Sequence, residues 1–296
     1  MRGGFLLMMA LGIAVRCVAV NGEALNPRPD NADVPLTAKG GTWYAHIDAP
    51  RDAFTVRFVR APESVSLVRT GDALPYTHTD DTLTVSLPAD IAAGARVAIV
   101  FEENRWAETM AWFARQDEKE PPPEAAVLFV GSSSIRGWNL DESFPDRRTI
   151  NRGFGGSAYG DMLRFAHRLF KPYAPRAVVL YSGDNDIAAG KSAPWVFADC
   201  RALIARIRHD LPEVPVFVLG IKPSIARWAL WPAMQAANER IAQYCATAEN
   251  VTYIDSGAPL LDDAGKPDAA LFRDDGLHLN DAGYAKWNAL VRPLLE

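Results

Sequence analysis

The feature that most constrains the fold is a series of short, nearly uninterrupted apolar runs in the second half of the chain. The three clearest runs are residues 126–130 (AVLFV), 178–181 (VVLY) and 216–219 (VFVL). Runs of this length are typical of strands that are buried on both faces of a sheet. Two further strands are predicted near residues 149–151 and over residues 251–255. The sequence therefore predicts a sheet of five strands.

Helical patterns lie between and after these predicted strands. They cover residues 158–170, 194–210 and 232–248, and a closing helix covers residues 281–295. Strands and helices that alternate in this way predict a parallel sheet with helices packed on both of its faces.

An earlier part of the chain shows the short alternating patterns of antiparallel strands. These strands are predicted over residues 42–47, 53–59, 64–69, 82–87 and 97–101, with turns at Gly40-Gly41, Thr70-Gly71-Asp72 and Asp80-Asp81. Their spacing predicts a small antiparallel β-sandwich domain over residues 36–103. The strings LTAKGGTWYAHI and SVSLVRTGDALPYTHTDDTLTVSLP resemble the β-sandwich accessory domain at the C-terminal end of α-L-fucosidases. This resemblance implies a fold and a glycan context, and it includes no catalytic residue.

Two further segments complete the predicted organisation. Residues 104–115 (NRWAETMAWFAR) predict a helix, and the proline-rich segment 116–125 predicts a stiff connector. Residues 1–22 predict a signal peptide, because a basic start precedes the eleven-residue apolar run FLLMMALGIAV and a small-residue site near Cys17. Such a run is too short to cross a bilayer, so we expect an exported protein without an integral membrane span.

Composition excludes several other classes of protein. The 36 acidic and 31 basic residues give a net charge of −5, which argues against nucleic acid as a partner. Three cysteines, Cys17, Cys200 and Cys245, are too few for a disulfide framework or a zinc cage. We interpret Cys200 and Cys245 as core residues, and a disulfide between them is allowed but not required.

The polar residues of greatest interest follow the predicted strands, where ligands bind in open α/β sheets. They are Gly131-Ser132-Ser133-Ser134, Arg152-Gly153-Phe154-Gly155-Gly156, Ser182-Gly183-Asp184-Asn185-Asp186 and, before the closing helix, Asp274 to Asn280. Each group alone is more often a turn, a helix cap or a surface loop. All four together, at one edge of one sheet, indicate a catalytic site.

These four groups resemble the sequence blocks of the SGNH (GDSL-like) hydrolase superfamily, over residues 104–296. The resemblance implies a flavodoxin-like three-layer α/β/α fold and a nucleophile two positions after Gly131, which is Ser133. Ser132 replaces the aspartate that usually stands between them, so the neighbouring serines have to be distinguished by structure. Within the superfamily the chain looks most similar to the bacterial esterase-like branch and to platelet-activating-factor acetylhydrolase subunits.

The remaining blocks imply the other site residues. Gly156 and Asn185 would complete an oxyanion hole with the backbone N–H of Ser133, and Asp275 with His278 would complete the catalytic triad. These residue types suit acyl transfer. A serine hydroxyl needs a neighbouring base, an imidazole of pKa ~6.5 can supply it, and a carboxylate orients the imidazole. We expect no metal and no cofactor.

Three more residues are candidates for substrate binding. Arg227 and Trp228 follow the fourth strand, and Arg152 stands beside the oxyanion glycines. They could hold a sugar ring or an acidic group, although packing of the tryptophans against the closing helix is an equal alternative. The remaining histidines, His46, His78, His167 and His209, lie outside the motifs and are not expected to be catalytic.

The sequence thus favours a secreted serine esterase that acts on a small-molecule or glycan ester, with glycan deacetylation as the preferred reaction. The alternatives are a lysophospholipase or thioesterase of the same superfamily, and a non-catalytic glycan-binding protein on this scaffold. The acyl length, the alcohol and the oligomeric state stay open at this level.

Overall fold

The structure, a computed structural model, describes residues 31–39, 42–101 and 106–295. The predicted signal peptide, the Gly40-Gly41 turn and the first two residues of the helix predicted over residues 104–115 lie outside the described residues. Within these ranges no helix is long and apolar enough to cross a membrane.

The first part of the described chain forms two antiparallel sheets. Their strands are β1 (Leu36–Lys39), β2 (Thr42–Ile47), β3 (Ala53–Arg57), β4 (Ser64–Leu67), β5 (Tyr76–Thr79), β6 (Thr82–Ser86) and β7 (Ala95–Val100). The sheet orders are β1-β2-β7-β4 and β3-β6-β5. Apolar side chains of both sheets, such as Ile47, Phe54 and Leu83, share one core. The antiparallel β region predicted before the hydrolase fold is therefore present.

Two of these strands, β1 and β5, were not predicted individually. Strand β5 reads Tyr-Thr-His-Thr and is mostly exposed, so it lacks the apolar alternation that marks a half-buried strand. Its pairing with β6 forms it instead, with Thr79 opposite Thr82 and Tyr76 opposite Val85.

The second part of the chain contains the predicted parallel sheet. Its strands are β8 (Val127–Gly131), β9 (Thr149–Gly153), β10 (Ala177–Tyr181), β11 (Val216–Leu219) and β12 (Val251–Ile254). They pair in parallel in the order β12-β11-β10-β8-β9, which is the flavodoxin-like order. The fold class expected from the sequence is confirmed.

Helices cover both faces of this sheet. They are α1 (Ala107–Lys119), α2 (Ser133–Arg136), α3 (Leu140–Ser143), α4 (Tyr159–Arg164), α5 (Ala166–Leu169), α6 (Asp184–Ala188), α7 (Ala193–Asp210), α8 (Trp231–Cys245) and α9 (Asp281–Val291). Alternate residues of β8 enter different cores. Leu128 and Val130 pack with residues of α7 and α8, whereas Val127 and Phe129 pack with residues of α9. This alternation produces the three layers.

Several helix boundaries differ from the prediction, and α8 ends at Cys245 instead of residue 248. Helix α1 continues to Lys119, into the segment predicted as a connector, and ends shortly before Pro121, where the proline disfavours further helix. The helix predicted over residues 158–170 is two short helices that meet at Phe165, whose backbone leaves helical geometry. The closing helix ends at Val291 and continues as a 3₁₀ turn that contains Pro293.

The two cysteines of the described chain, Cys200 and Cys245, are buried free thiols. Burial raises the pKa of both thiols, that of Cys245 to about 11. They therefore behave as small apolar core residues, and no disulfide joins them.

Gly131 ends β8 at a point where the backbone leaves no room for a side chain. A Cβ atom here would lie 2.3 Å from the Tyr181 carbonyl oxygen of β10 and 2.4 Å from Ile135 Cγ1 of α2. Glycine at this position therefore lets β8 pass directly into α2 while remaining paired with β10.

We expect Gly131→Ala to reduce the free energy of unfolding by about 1–3 kcal/mol, because the added methyl group meets backbone atoms that cannot move aside. Chemical denaturation of both proteins measures the loss. Gly160→Ala is the matched control, since its Cβ would lie in ordinary contact, 3.5 Å from Asp199 Oδ2. Equal stabilities of the Gly131 variant and the wild type would contradict this packing argument.

Candidate active site

Ser133 is the first residue of α2, and only Ser132 separates it from the end of β8 at Gly131. Its hydroxyl oxygen Oγ lies 2.9 Å from Nε2 of His278. The loop before α9 carries this histidine, so the hydrogen bond joins two segments that are remote in sequence. A serine hydroxyl within hydrogen-bond reach of an imidazole is the geometry that activates a serine nucleophile.

Asp275 holds the other side of the His278 ring. Its Oδ2 lies 2.6 Å from His278 Nδ1, and its Oδ1 accepts the backbone N–H groups of Leu277 and His278, each at 2.9 Å. Because a carboxylate only accepts hydrogen bonds, Nδ1 carries the ring hydrogen and Nε2 is left to accept from Ser133. The hydrogen bonds from the His278 side chain and from these backbone groups lower the pKa of Asp275 well below its usual range, which keeps it ionised.

The structure distinguishes the three neighbouring serines. Ser132 and Ser134 are buried, whereas Ser133 is partly exposed and contacts His278. Within the described part of the chain the Ser132 hydroxyl has no hydrogen-bond partner, and the carbonyl of Ser134 accepts a bond from the Tyr284 hydroxyl. Of the three hydroxyls, that of Ser133 is therefore the one that can react with a substrate.

Gly156 and Asn185 line one cavity, whose lining does not include Ser133, Asp275 or His278. Gly156 has a φ of 81°, a conformation that favours glycine, in the turn that follows β9. The Asn185 amide nitrogen Nδ2 donates to the Ser157 carbonyl at 3.1 Å. Because an amide has two N–H donors, the second can serve a substrate oxygen.

Arg227 orients this asparagine. Its Nη1 donates to Asn185 Oδ1 at 3.1 Å and to Asp184 Oδ2 at 3.0 Å. The amide oxygen therefore points to Arg227 and the amide nitrogen to the Ser157 carbonyl. A role for Arg227 in holding a sugar or an acidic group stays a prediction.

Arg152 is also placed differently from the prediction. It is only 9% exposed, and its guanidinium donates to the Tyr173 hydroxyl and to Asp117 and lies over the Phe113 ring. These contacts turn the side chain toward α1. Arg152 thus joins α1 to the sheet and is not a substrate ligand.

Trp228 stacks on Trp231, with ring centroids 6.2 Å apart and ring planes 17° apart. The sequence left two alternatives for Trp228, substrate binding or packing within the protein. The stacking on Trp231 is packing within the protein, but its partner is a neighbouring tryptophan and not the closing helix. A role for Trp228 in binding substrate stays a prediction.

Comparison with known proteins places the chain in a family. Residues 123–286 match the GDSL-like lipase/acylhydrolase family, a match that spans more than half of the chain. The chain belongs to this family. The family consists of enzymes that hydrolyse ester bonds, so the GDSL-like chain is an ester hydrolase, as the sequence motifs predicted. No curated protein matches it in sequence.

Solved structures share the fold of this GDSL-like hydrolase at low sequence identity. A Streptococcus pneumonia protein described as a platelet activating factor is 24% identical, with a TM-score of 0.58 over 64% of this chain and 92% of its own. An acylhydrolase-like protein of Bacteroides fragilis is 20% identical, with a TM-score of 0.57 over 66% and 98%. A GDSL-like lipase of Bacteroides thetaiotaomicron is 21% identical, with a TM-score of 0.55 over 63% and 96%.

One residue of the GDSL-like site was not predicted from the sequence. Lys222 follows β11, is only 1% exposed, and donates from Nζ to the Leu277 carbonyl oxygen at 2.6 Å. It therefore anchors the loop that carries Asp275 and His278. Its position in the loop that follows an apolar strand is the sequence feature that could have indicated a place in the site. Burial lowers the pKa of Lys222 to about 8, although nearby Asp184 partly offsets this effect.

This buried lysine should make stability depend on pH. Lys222 loses its proton near pH 8 in the folded protein and near pH 10.5 in the unfolded chain, so the unfolded chain binds more protons between these values. Stability should therefore rise by roughly 3 kcal/mol across this window. Lys222→Met should remove that rise. Denaturant unfolding of both proteins at pH 7 and pH 10 tests this, and parallel pH profiles would contradict it.

Proposed function

We propose that this chain is an exported serine esterase that uses Ser133 as nucleophile, His278 as general base and Asp275 as the residue that orients the base. The observation that carries the proposal is the continuous hydrogen-bonded series Asp275–His278–Ser133, with distances of 2.6 and 2.9 Å. Export is proposed from the leader-like pattern of residues 1–22.

The reaction would proceed through an acyl-enzyme. Ser133 Oγ attacks the ester carbonyl carbon while its proton moves to His278 Nε2, and Asp275 stabilises the resulting imidazolium. The C–O bond to the alcohol then breaks, and the alcohol leaves with the proton from His278. A water molecule attacks the acyl-enzyme with His278 again as base, which releases the acid and restores Ser133.

Negative charge develops on the carbonyl oxygen in both steps. The proposed donors to this oxygen are the backbone N–H groups of Ser133 and Gly156 and the side-chain amide of Asn185. Gly156 and Asn185 line the same cavity, and the orientation of Asn185 by Arg227 supports this assignment. Donors that are held in place before the reaction stabilise the transition state without reorganising.

Deacetylation of a glycan is the proposed reaction. The signal-peptide pattern and the fucosidase-like pattern of the β region support an extracellular carbohydrate substrate. The cavity that contains Gly156 and Asn185 is lined mainly by polar and small side chains, which suits a substrate rich in hydroxyl groups.

Replacement of the nucleophile tests the mechanism. We expect Ser133→Ala to lower kcat on p-nitrophenyl acetate by at least about 10³-fold, because no hydroxyl remains beside His278. Ser132→Ala and Ser134→Ala are matched controls, as both serines are adjacent and neither hydroxyl contacts His278. Activity of Ser133→Ala equal to that of the controls would exclude the proposed nucleophile.

Arg227 provides a second test of the oxyanion assignment. Loss of one oxyanion donor lowers kcat by about 10²–10³-fold. Arg227→Ala removes the contact that orients the Asn185 amide, so the amide can rotate. We therefore expect this variant to lower kcat by about tenfold or more. KM should change much less, because the effect lies in the transition state. Arg240→Ala, which removes an exposed arginine of α8, is the control. A change in KM alone would instead indicate that Arg227 binds the substrate.

A further inference from the structure

A further candidate site lies between the β region and the hydrolase part of the chain. It is a cavity of about 590 Å³. Its wall includes Gly156 and Asn185 from the hydrolase part and Arg60, His78 and Asp81 from the β region. A substrate held at the proposed oxyanion site would therefore extend toward residues of the β region.

The β5–β6 hairpin places two of these residues. Asp80 and Asp81 form its two-residue turn with φ values of 48° and 63°, a left-handed conformation that aspartate tolerates and that suits a tight hairpin. The backbone N–H of Val59 donates to the Asp81 carbonyl at 3.1 Å, and His78 Nε2 lies 2.7 Å from the Val59 carbonyl. The turn is thus tied to the segment that carries Arg60.

An ion pair joins the two sides of the cavity. Arg60 of the β region lies 3.8 Å from Asp161 of α4 in the hydrolase part. In the hydrolase part, the Lys191 ammonium contacts Asp186 at 2.6 Å and Asp199 at 3.0 Å. Burial alone would lower the pKa of Lys191, but these two carboxylates raise it, so the Lys191 ammonium stays charged in the cavity wall near Asn185.

The cavity presents hydrogen-bonding groups of both kinds. Asp81 and Asp161 supply acceptors, and Arg60 and Arg164 supply donors. Because a carbonyl oxygen only accepts, His78 Nε2 carries the ring hydrogen and Nδ1 is an acceptor. Small residues such as Gly160 and Ala189 leave room between these groups.

This chemistry fits a hydroxyl-rich ligand. An acyl chain in the cavity would remove charged groups from water without replacing their hydrogen bonds, which is costly. The hydroxyls of a sugar both donate and accept, so they can pair with carboxylates and guanidinium groups together. The volume also lies within the usual range for small-molecule sites.

We propose that this cavity binds the carbohydrate alcohol of the ester substrate, and that Arg60, His78 and Asp81 of the β region determine specificity for it. The inference rests on the proposed esterase function, because it places the scissile carbonyl at Ser133, Gly156 and Asn185. The β region then forms part of the substrate site.

The test compares two esters that share an acetyl group and differ in the alcohol: p-nitrophenyl acetate and acetylated xylo-oligosaccharides. For Asp81→Asn, the ratio of kcat/KM on the sugar ester to kcat/KM on p-nitrophenyl acetate should fall about tenfold or more, because a charged acceptor is lost. Asp80→Asn is the matched control. It changes the adjacent residue of the same turn, and asparagine tolerates the left-handed conformation at both positions.

Arg60→Ala should lower the same ratio, with Arg69→Ala, an exposed arginine of the β region outside the cavity, as its control. An unchanged ratio in both cavity variants would overturn the inference. It would also be overturned if the wild-type enzyme hydrolysed p-nitrophenyl acetate but none of a panel of acetylated glucose and xylose sugars. Failure of the wild type to hydrolyse p-nitrophenyl acetate would instead count against the esterase proposal.

Discussion

The hydrogen bond between His278 and Ser133 joins residues 145 positions apart, and the rest of the site depends on it. It forms because parallel strands end at one edge of the sheet, where the segment after β8 carries Ser133 and the segment between β12 and α9 carries His278. Close packing at Gly131 brings β8 against β10 and starts α2 at Ser133. The position of the reactive hydroxyl is therefore a consequence of sheet packing, while the position of the imidazole is set by Asp275 and by the Lys222 anchor beneath its loop.

Most of the fold and the centre of the site could be predicted from the sequence. Strands buried on both faces give continuous apolar runs, which is why β8, β10 and β11 were predicted nearly residue for residue. Ser133, Asn185, Asp275 and His278 lie in short motifs whose spacing reflects the turns that carry them, and the structure brings Ser133, Asp275 and His278 into contact. Strand β5 was missed because backbone pairing with β6, and not an apolar pattern, forms it.

The roles of the arginines and lysines could not be predicted, because a long cationic side chain can reach several partners that the sequence does not specify. Arg152 turns to Asp117 and Tyr173, which lie 35 and 21 positions away, and Arg227 turns to the Asp184–Asn185 pair. Lys222 reaches a backbone carbonyl, an acceptor that every residue carries. His78 lies outside the sequence motifs, yet the packing of the β region brings it to the cavity of Gly156 and Asn185.

The two-residue turn of the β5–β6 hairpin has a further consequence. Backbone bonds on both strands and the contacts to Val59 already hold Asp81 and His78 in one arrangement. A molecule that enters the space beside them would meet a surface that needs little reorganisation, so association would lose little conformational entropy on the protein side. Such a rigid wall would select among molecules by their shape and by where their hydroxyl groups point.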